Sequence, residues 1–296
     1  MPANSTPNPV LARLGFPADA RLVIFHLDDV GMCHGANQAF VQLARAGAID
    51  CGSVMVPCPW FPEIAHEAAG DPSLDLGVHL TLTSEWFPYR WGPITQAPSL
   101  LDADGFFPRD VPGLRAQLDP AEAEAEMQTQ IERALAAGID VTHLDTHMGA
   151  ALVPELLPAT LRLAEKFRLP LLLPRRIDSY LSVLRMGAVD AAAYLAASAN
   201  SPIDGFAMTP GHAPGEAETA YRRLLLDVGP GTTFVSLHPN LAGDIAAIQA
   251  RHPRQQPRWR IEETALFASQ APARWLAEAG IARSGMRALR DALRSS

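Results

Sequence analysis

Two adjacent carboxylates, Asp28 and Asp29, follow the apolar run Val23-Ile24-Phe25 and precede Gly31. The run has the bulk and β-branching of a strand buried on both faces, so the carboxylates fall at its C-terminal end. In α/β proteins that end of a strand carries the chemistry. Two carboxylates this close repel each other unless a cation or a shared proton intervenes. The plainer alternative is that one caps the following helix and the other is solvated. Histidines at other expected strand ends shift the balance: His79 in 74–82, His147 beside Asp145 after 141–146, and His238 after 232–237. One Asp and two His with an open position make a catalytic divalent-metal site. Asp29, His79 and His147 are the first-choice ligands. Asp28 then serves as general base, His238 as general acid, and Asp145 holds a ligating histidine from behind.

Each histidine alone has a plainer reading, since a lone His in a strand is more often a satisfied core residue than a ligand. Packing does not account for three at strand ends together with an Asp pair. His26, His66 and His252 lack such placement and read as structural or surface residues. His34 and His212 follow Gly-containing turns on the same face. Trp60, in the turn 57–62, and Arg175, after the apolar stretch 169–173, are candidates to touch substrate, although a solvated Arg after a strand is equally ordinary.

The elements that must position these groups alternate. Helical spacing covers 35–46, 63–69, 120–137, 154–167, 178–201, 216–226, 258–268 and 272–280; strand candidates lie at 49–56, 74–82, 141–146, 169–173, 206–208 and 232–237. Asp119-Pro120-Ala121-Glu122 is a helix start: Asp caps, Pro suits the first turn and Glu completes a capping box. Residues 84–118 hold no periodicity, and so long a loop inside a compact domain is expected to be functional or a lid. Strand and helix alternate about seven times, which calls for parallel strands with right-handed crossovers. The expected fold is α/β, a single distorted (β/α) barrel of about seven parallel strands. A flexible arm is expected over 1–20 and the barrel domain over 21–296.

Composition narrows the function classes. Hydrophobic residues make up 48% of the 296 and charged residues 19%, the balance of a core-forming chain. A net charge of −8 with no basic cluster before the C-terminus argues against a nucleic-acid partner. Three cysteines, Cys33, Cys51 and Cys58, are too few and too irregularly spaced for a disulfide framework or a structural zinc site. No apolar run is long enough to span a bilayer and no leader pattern precedes the first strand, so a cytoplasmic location without membrane association is the default expectation.

At these residues the chain resembles the YdjC-like carbohydrate deacetylases. Asp28-Asp29-Val30-Gly31 followed by Gly35-Ala36-Asn37 is similar to the family's first motif. Gly77-Val78-His79-Leu80-Thr81-Leu82-Thr83 matches the second, Thr142-His143-Leu144-Asp145-Thr146-His147 the third, and His238-Pro239 the last. The resemblance spans about residues 21–280. It implies a distorted (β/α) barrel, a divalent metal ion (zinc or magnesium) and hydrolysis of an N-acetyl group from an amino sugar or chitooligosaccharide-like substrate, with release of acetate. It puts the metal ligands on Asp29, His79 and His147, the base on Asp28 and the late catalytic histidine on His238. It makes a homodimer a candidate assembly, for which the sequence carries no interface signature. The chain departs from the family after His147, where Met148-Gly149-Ala150-Ala151 replaces a histidine-bearing segment, at Val30 in place of Phe, and at Asn240 in place of Gly. Two other readings stand beside this one: hydrolysis of a different amide or ester, and a metal- or sugar-binding barrel without turnover.

Overall fold

In the computed structural model, which describes residues 8–176, 180, 188–250 and 257–295, strand β1 (Arg21–Val30) is the spine. It is paired in parallel to β2 (Cys51–Val54) on one side and β6 (Gly231–Leu237) on the other. β3 (Leu76–Leu80), β4 (Val141–Thr146) and β5 (Gly205–Met208) extend the sheet in the order β4-β3-β2-β1-β6-β5, and the short β7 (Ala282–Arg283) also pairs with β1. All pairings are parallel, as strand–helix alternation requires. Val23, Ile24, Phe25 and Leu27 have no exposed surface, because helices cover the outside of the sheet while its curl buries the inside.

The sheet is curled into a half-barrel rather than closed by a regular ladder. The expected strand at 169–173 is reduced to a single bridge, Leu171 to Leu144. Pro170 and Pro174 cannot donate to a ladder, which limits the pairing. The segment still links the two edges: Leu172 donates to the Leu144 carbonyl, and the backbone N–H groups of Arg175 and Arg176 donate to Ile203 and Asp204. This irregular stave makes the barrel distorted.

The helices form where the apolar spacing asks for them. His34–Arg45 buries Ala36, Phe40 and Leu43, and Pro120–Ala136 begins with the Asp119 carboxylate accepting from the N–H groups of Ala121 and Glu122. Glu122 does not complete a capping box; its carboxylate accepts from the Ser99 N–H in the loop instead. Of the helix expected over 178–201, Ala188–Ser198 is present; the rest lies largely outside the described residues, as does His252. Residues 8–20, expected within an arm, hold the short helix Pro9–Arg13 with Val10 and Leu11 buried, and the Asn8 amide donates to Asp204. Among the described residues no helix is long and apolar enough to cross a membrane.

Candidate metal centre

The end of β1 is bent. Asp29 has a φ of 63° and Gly31 a φ of 89°, and the pairing with β2 shifts between Leu27 and Val30. Aspartate tolerates the left-handed region better than most residues, and glycine enters it freely. On a straight strand the two carboxylates would point to opposite faces. The bend turns both into one cavity of about 1040 Å³ at the C-terminal end of the sheet.

Asp29 Oδ1 lies 3.2 Å from His147 Nδ1 and 3.6 Å from His79 Nε2, while Oδ2 accepts from Arg260 at 3.0 Å. The ligand-type atoms of Asp29, His79 and His147 lie within 4.8 Å of one another, on three buried residues. The opposite nitrogen of each ring is held by a carboxylate. His79 Nδ1 meets Asp145 Oδ2 at 2.9 Å, an oxygen that also accepts from Ser53 Oγ, and His147 Nε2 meets Glu85 Oε2 at 2.9 Å. Ligating histidines are oriented in this way, with one nitrogen tied back and the other offered to the ion. One carboxylate oxygen and two imidazole nitrogens, with room left in the cavity, fit a divalent cation.

The electrostatics agree. Burial raises the Asp29 carboxyl, but the hydrogen bond from His147 and the Arg260 charge hold it well below the usual carboxylate range. Burial also works against the His147 imidazolium, yet Glu85 and Asp29 push it up to about 10. The protein therefore favours positive charge between these carboxylates, and a cation bound there would compete with the His147 proton. His79 is likewise raised, with Asp145 outweighing its burial.

Asp28 accepts from Ser236 Oγ at 2.6 Å and has His26 Nδ1 at 2.7 Å, with His238 Nε2 3.7 Å away. His26 is thus not a remote structural residue. It lies two positions before Asp28, hence on the same face of β1. Behind it a buried chain continues from His26 Nε2 to His143 Nε2 at 2.9 Å, from His143 Nδ1 to Thr142 Oγ1 at 2.9 Å, and from Thr142 to Asp75 at 2.6 Å. Burial and the neighbouring His26 lower His143 to about 3, so its ring is neutral. Gly77 makes room for it: a Cβ there would sit 2.5 Å from the His143 ring.

The structure brings Asp28, Asp29, His79, Asp145, His147 and His238 to one cavity wall. Arg175 and Trp60 are not among the residues lining that cavity. Arg175 is buried and paired with Asp204 at 3.1 Å, which fixes its charge behind the stave. Trp60 is 40% exposed and rests against His34 at the start of helix Phe61–Gly70. His34 is turned to Glu63, His66 is exposed, and His212 does line the cavity. Sequence reasoning missed Glu85, Arg260, Ser53 and Ser236. Ser53 and Ser236 lie on β2 and β6 with no motif of their own, and Glu85 opens the long aperiodic stretch, which also lends Asp110, Val111, Pro112 and Arg115 to the cavity.

Comparison with known proteins gives the site a context. The family profile described as YdjC-like protein matches residues 22–278. A carbohydrate deacetylase of Thermus thermophilus is 41% identical over 169 residues, covering 57% of this chain and 59% of that protein. One of Brevibacillus brevis is 35% identical over 153 residues, covering 51% and 59%. The match thus spans about three fifths of the length of these relatives. Among solved structures, a protein of Enterococcus faecalis V583, whose assignment to cellobiose-phosphate cleavage is itself an inference, superposes with a TM-score of 0.74 at 23% identity. The match covers 91% of this chain and 99% of that one, and it shows the shared fold.

Proposed function

Because the chain belongs to the YdjC-like protein family, we propose that it is a metal-dependent hydrolase that removes an acetyl group from an N-acetylated amino sugar or short chitooligosaccharide-like chain and releases acetate. The observation that carries this reading is the Asp29–His79–His147 cluster, in which each imidazole is tied back by its own carboxylate. Matched relatives described as carbohydrate deacetylases support the substrate class. Asp29, His79 and His147 would hold a zinc or magnesium ion. A divalent ion held there would supply Lewis acidity to the acetyl carbonyl and to the attacking water.

The chain's own groups do the rest. Asp28, fixed by Ser236 and His26, takes the proton of the attacking water. His238, whose Nε2 faces the same space, gives a proton to the departing amine. Burial lowers its imidazolium and the Asp28 and Asp29 charges oppose that, which leaves a ring able to give up its proton. Arg260 steadies the far oxygen of Asp29. Trp259, Phe206 and Tyr180 line the cavity and offer apolar faces to a sugar ring. A cytoplasmic setting and a homodimer belong to the same proposal; the three buried free cysteines accord with a reducing compartment.

The test is acetate release from mono-, di- and oligosaccharide acetamides by metal-loaded protein, with acetyl esters in parallel. Turnover of an acetamide that is lost in Asp28→Asn supports the proposal. Turnover of esters alone moves the assignment to an esterase. Binding without turnover, unchanged in Asp28→Asn, marks a sugar-binding barrel.

A further inference from the structure

One buried carboxylate outside the metal cluster grips His238 twice. Glu263, in the helix Arg258–Ala268, has no exposed surface. Its Oε2 accepts from the backbone N–H of His238 at 2.7 Å. Its Oε1 accepts from the Tyr221 hydroxyl and from Thr209 Oγ1 at 2.8 Å. Thr209 follows β5 directly, and its Oγ1 lies 2.9 Å from His238 Nδ1. A threonine hydroxyl has one proton to give. While Glu263 is ionised, that proton goes to its carboxylate, so toward the histidine Thr209 can only accept. His238 Nδ1 must therefore carry a hydrogen, and Nε2 is the nitrogen left facing Asp28 and the cavity.

We infer that Glu263, acting through Thr209, is a positioning residue for His238: it fixes the ring's tautomer and orientation so that Nε2 is the atom that gives and regains the proton. This rests on the reading of His238 as the acid of the proposed reaction. The logic is that of a buried carboxylate orienting a catalytic imidazole, with a hydroxyl interposed between the two. When His238 is doubly protonated, the Nδ1 hydrogen stays on Thr209 and the Nε2 hydrogen is the one delivered to the amine. The Nε2 site is refilled from the proton that Asp28 has taken from water, so the cycle conserves protons. Tyr221, buried on the far side of Glu263, closes the remaining approach to the carboxylate.

The experiment uses the full-length protein with 15N-labelled histidine, in wild type, Thr209→Val, Thr209→Ser and Glu263→Gln, with His238→Gln to assign the signals. Long-range 1H–15N correlation spectra report which ring nitrogen carries hydrogen when the ring is neutral. The expected result is the Nδ1–H tautomer in wild type and in Thr209→Ser, and its loss or mixing in Thr209→Val. Acetamide turnover in Thr209→Val should drop in kcat by about tenfold to a hundredfold with KM little changed, within what a general acid contributes, and Thr209→Ser should restore it. The Nε2–H tautomer in wild type, or a Thr209→Val enzyme as fast as wild type, overturns the inference. If wild-type protein hydrolyses no acetamide, the proposed function fails, and the tautomer spectra still decide the Glu263–Thr209 link.

Discussion

Replacing Asp145 with Asn tests whether the carboxylate behind His79 serves the candidate metal centre. Asp145 Oδ2 is the shared acceptor for His79 Nδ1 and Ser53 Oγ, both at 2.9 Å, and the residue is 1% exposed. Its own burial disfavours the charge, but His79 and His26 hold it down to about 2. Asparagine keeps the shape and an acceptor oxygen but removes the charge that draws the ring hydrogen to Nδ1. A hydrogen bond to a charged group contributes about 1.5–3 kcal/mol against about 0.5–1.5 kcal/mol for a neutral one. The difference, about 1–1.5 kcal/mol, corresponds to an about five- to thirteenfold loss of metal affinity, near or just below the lower end of the about 10–100-fold typical of such partners. Calorimetric titration of metal-free protein with zinc or magnesium measures it, alongside a thermal melt to show that the variant is folded. A folded Asp145→Asn protein that binds metal within twofold of wild type would show that His79 needs no carboxylate to present Nε2.

Glu85→Gln removes the matching partner of His147 and should weaken metal binding by a similar about tenfold, read in the same titration; because Glu85 is only partly buried, the melting temperature should move little. Gly77→Ala drives a methyl group into the His143 ring and should destabilise the protein by about 1–3 kcal/mol, measured by urea denaturation; no loss would mean that the buried imidazole is not confined as drawn. Glu263 is pushed by burial up to about 7 from an ordinary 4.5, with its three donors and Arg260 pulling the other way. A group raised in the folded state gives stability that is full below its unfolded value and is lost as pH rises through its folded value. The stability of wild type relative to Glu263→Gln should therefore fall between about pH 4.5 and 7, and a gap that widens in favour of wild type across that window would contradict the assignment.

The strand–helix alternation and the run before Asp28 made the parallel sheet legible, because a strand buried on both faces has a composition that few other elements share. The ends of β1, β3, β4 and β6 could be read for the same reason: polar residues that break off apolar runs must sit where the runs stop. What could not be read is what depends on distant residues meeting. Ser53, Ser236 and Glu85 carry no local signal, and their roles exist only because β2, β6 and the long loop bring them to His79, Asp28 and His147. His26 is legible in principle, since the strand period puts it on the face of Asp28, but it lies inside the apolar run rather than at its end, where packing alone accounts for a histidine. Arg175 and Trp60 show the opposite case, since neither lines the cavity. Their position after an expected strand or turn suggested exposure to substrate, but Asp204 and His34 claim them. The stave at 169–173 reads as a strand from its leucines, and the flanking prolines limit its pairing to one bridge.

The proposed function requires that strand ends far apart in sequence meet around a divalent cation. Elemental analysis of the purified protein, with His79→Ala and His147→Ala beside it, tests this most directly. The expected result is a divalent ion at about one per chain in wild type, lost in both variants while each remains folded by circular dichroism. Wild-type protein that takes up no zinc, magnesium or manganese on incubation, or variants that retain the ion at the wild-type level, would contradict it.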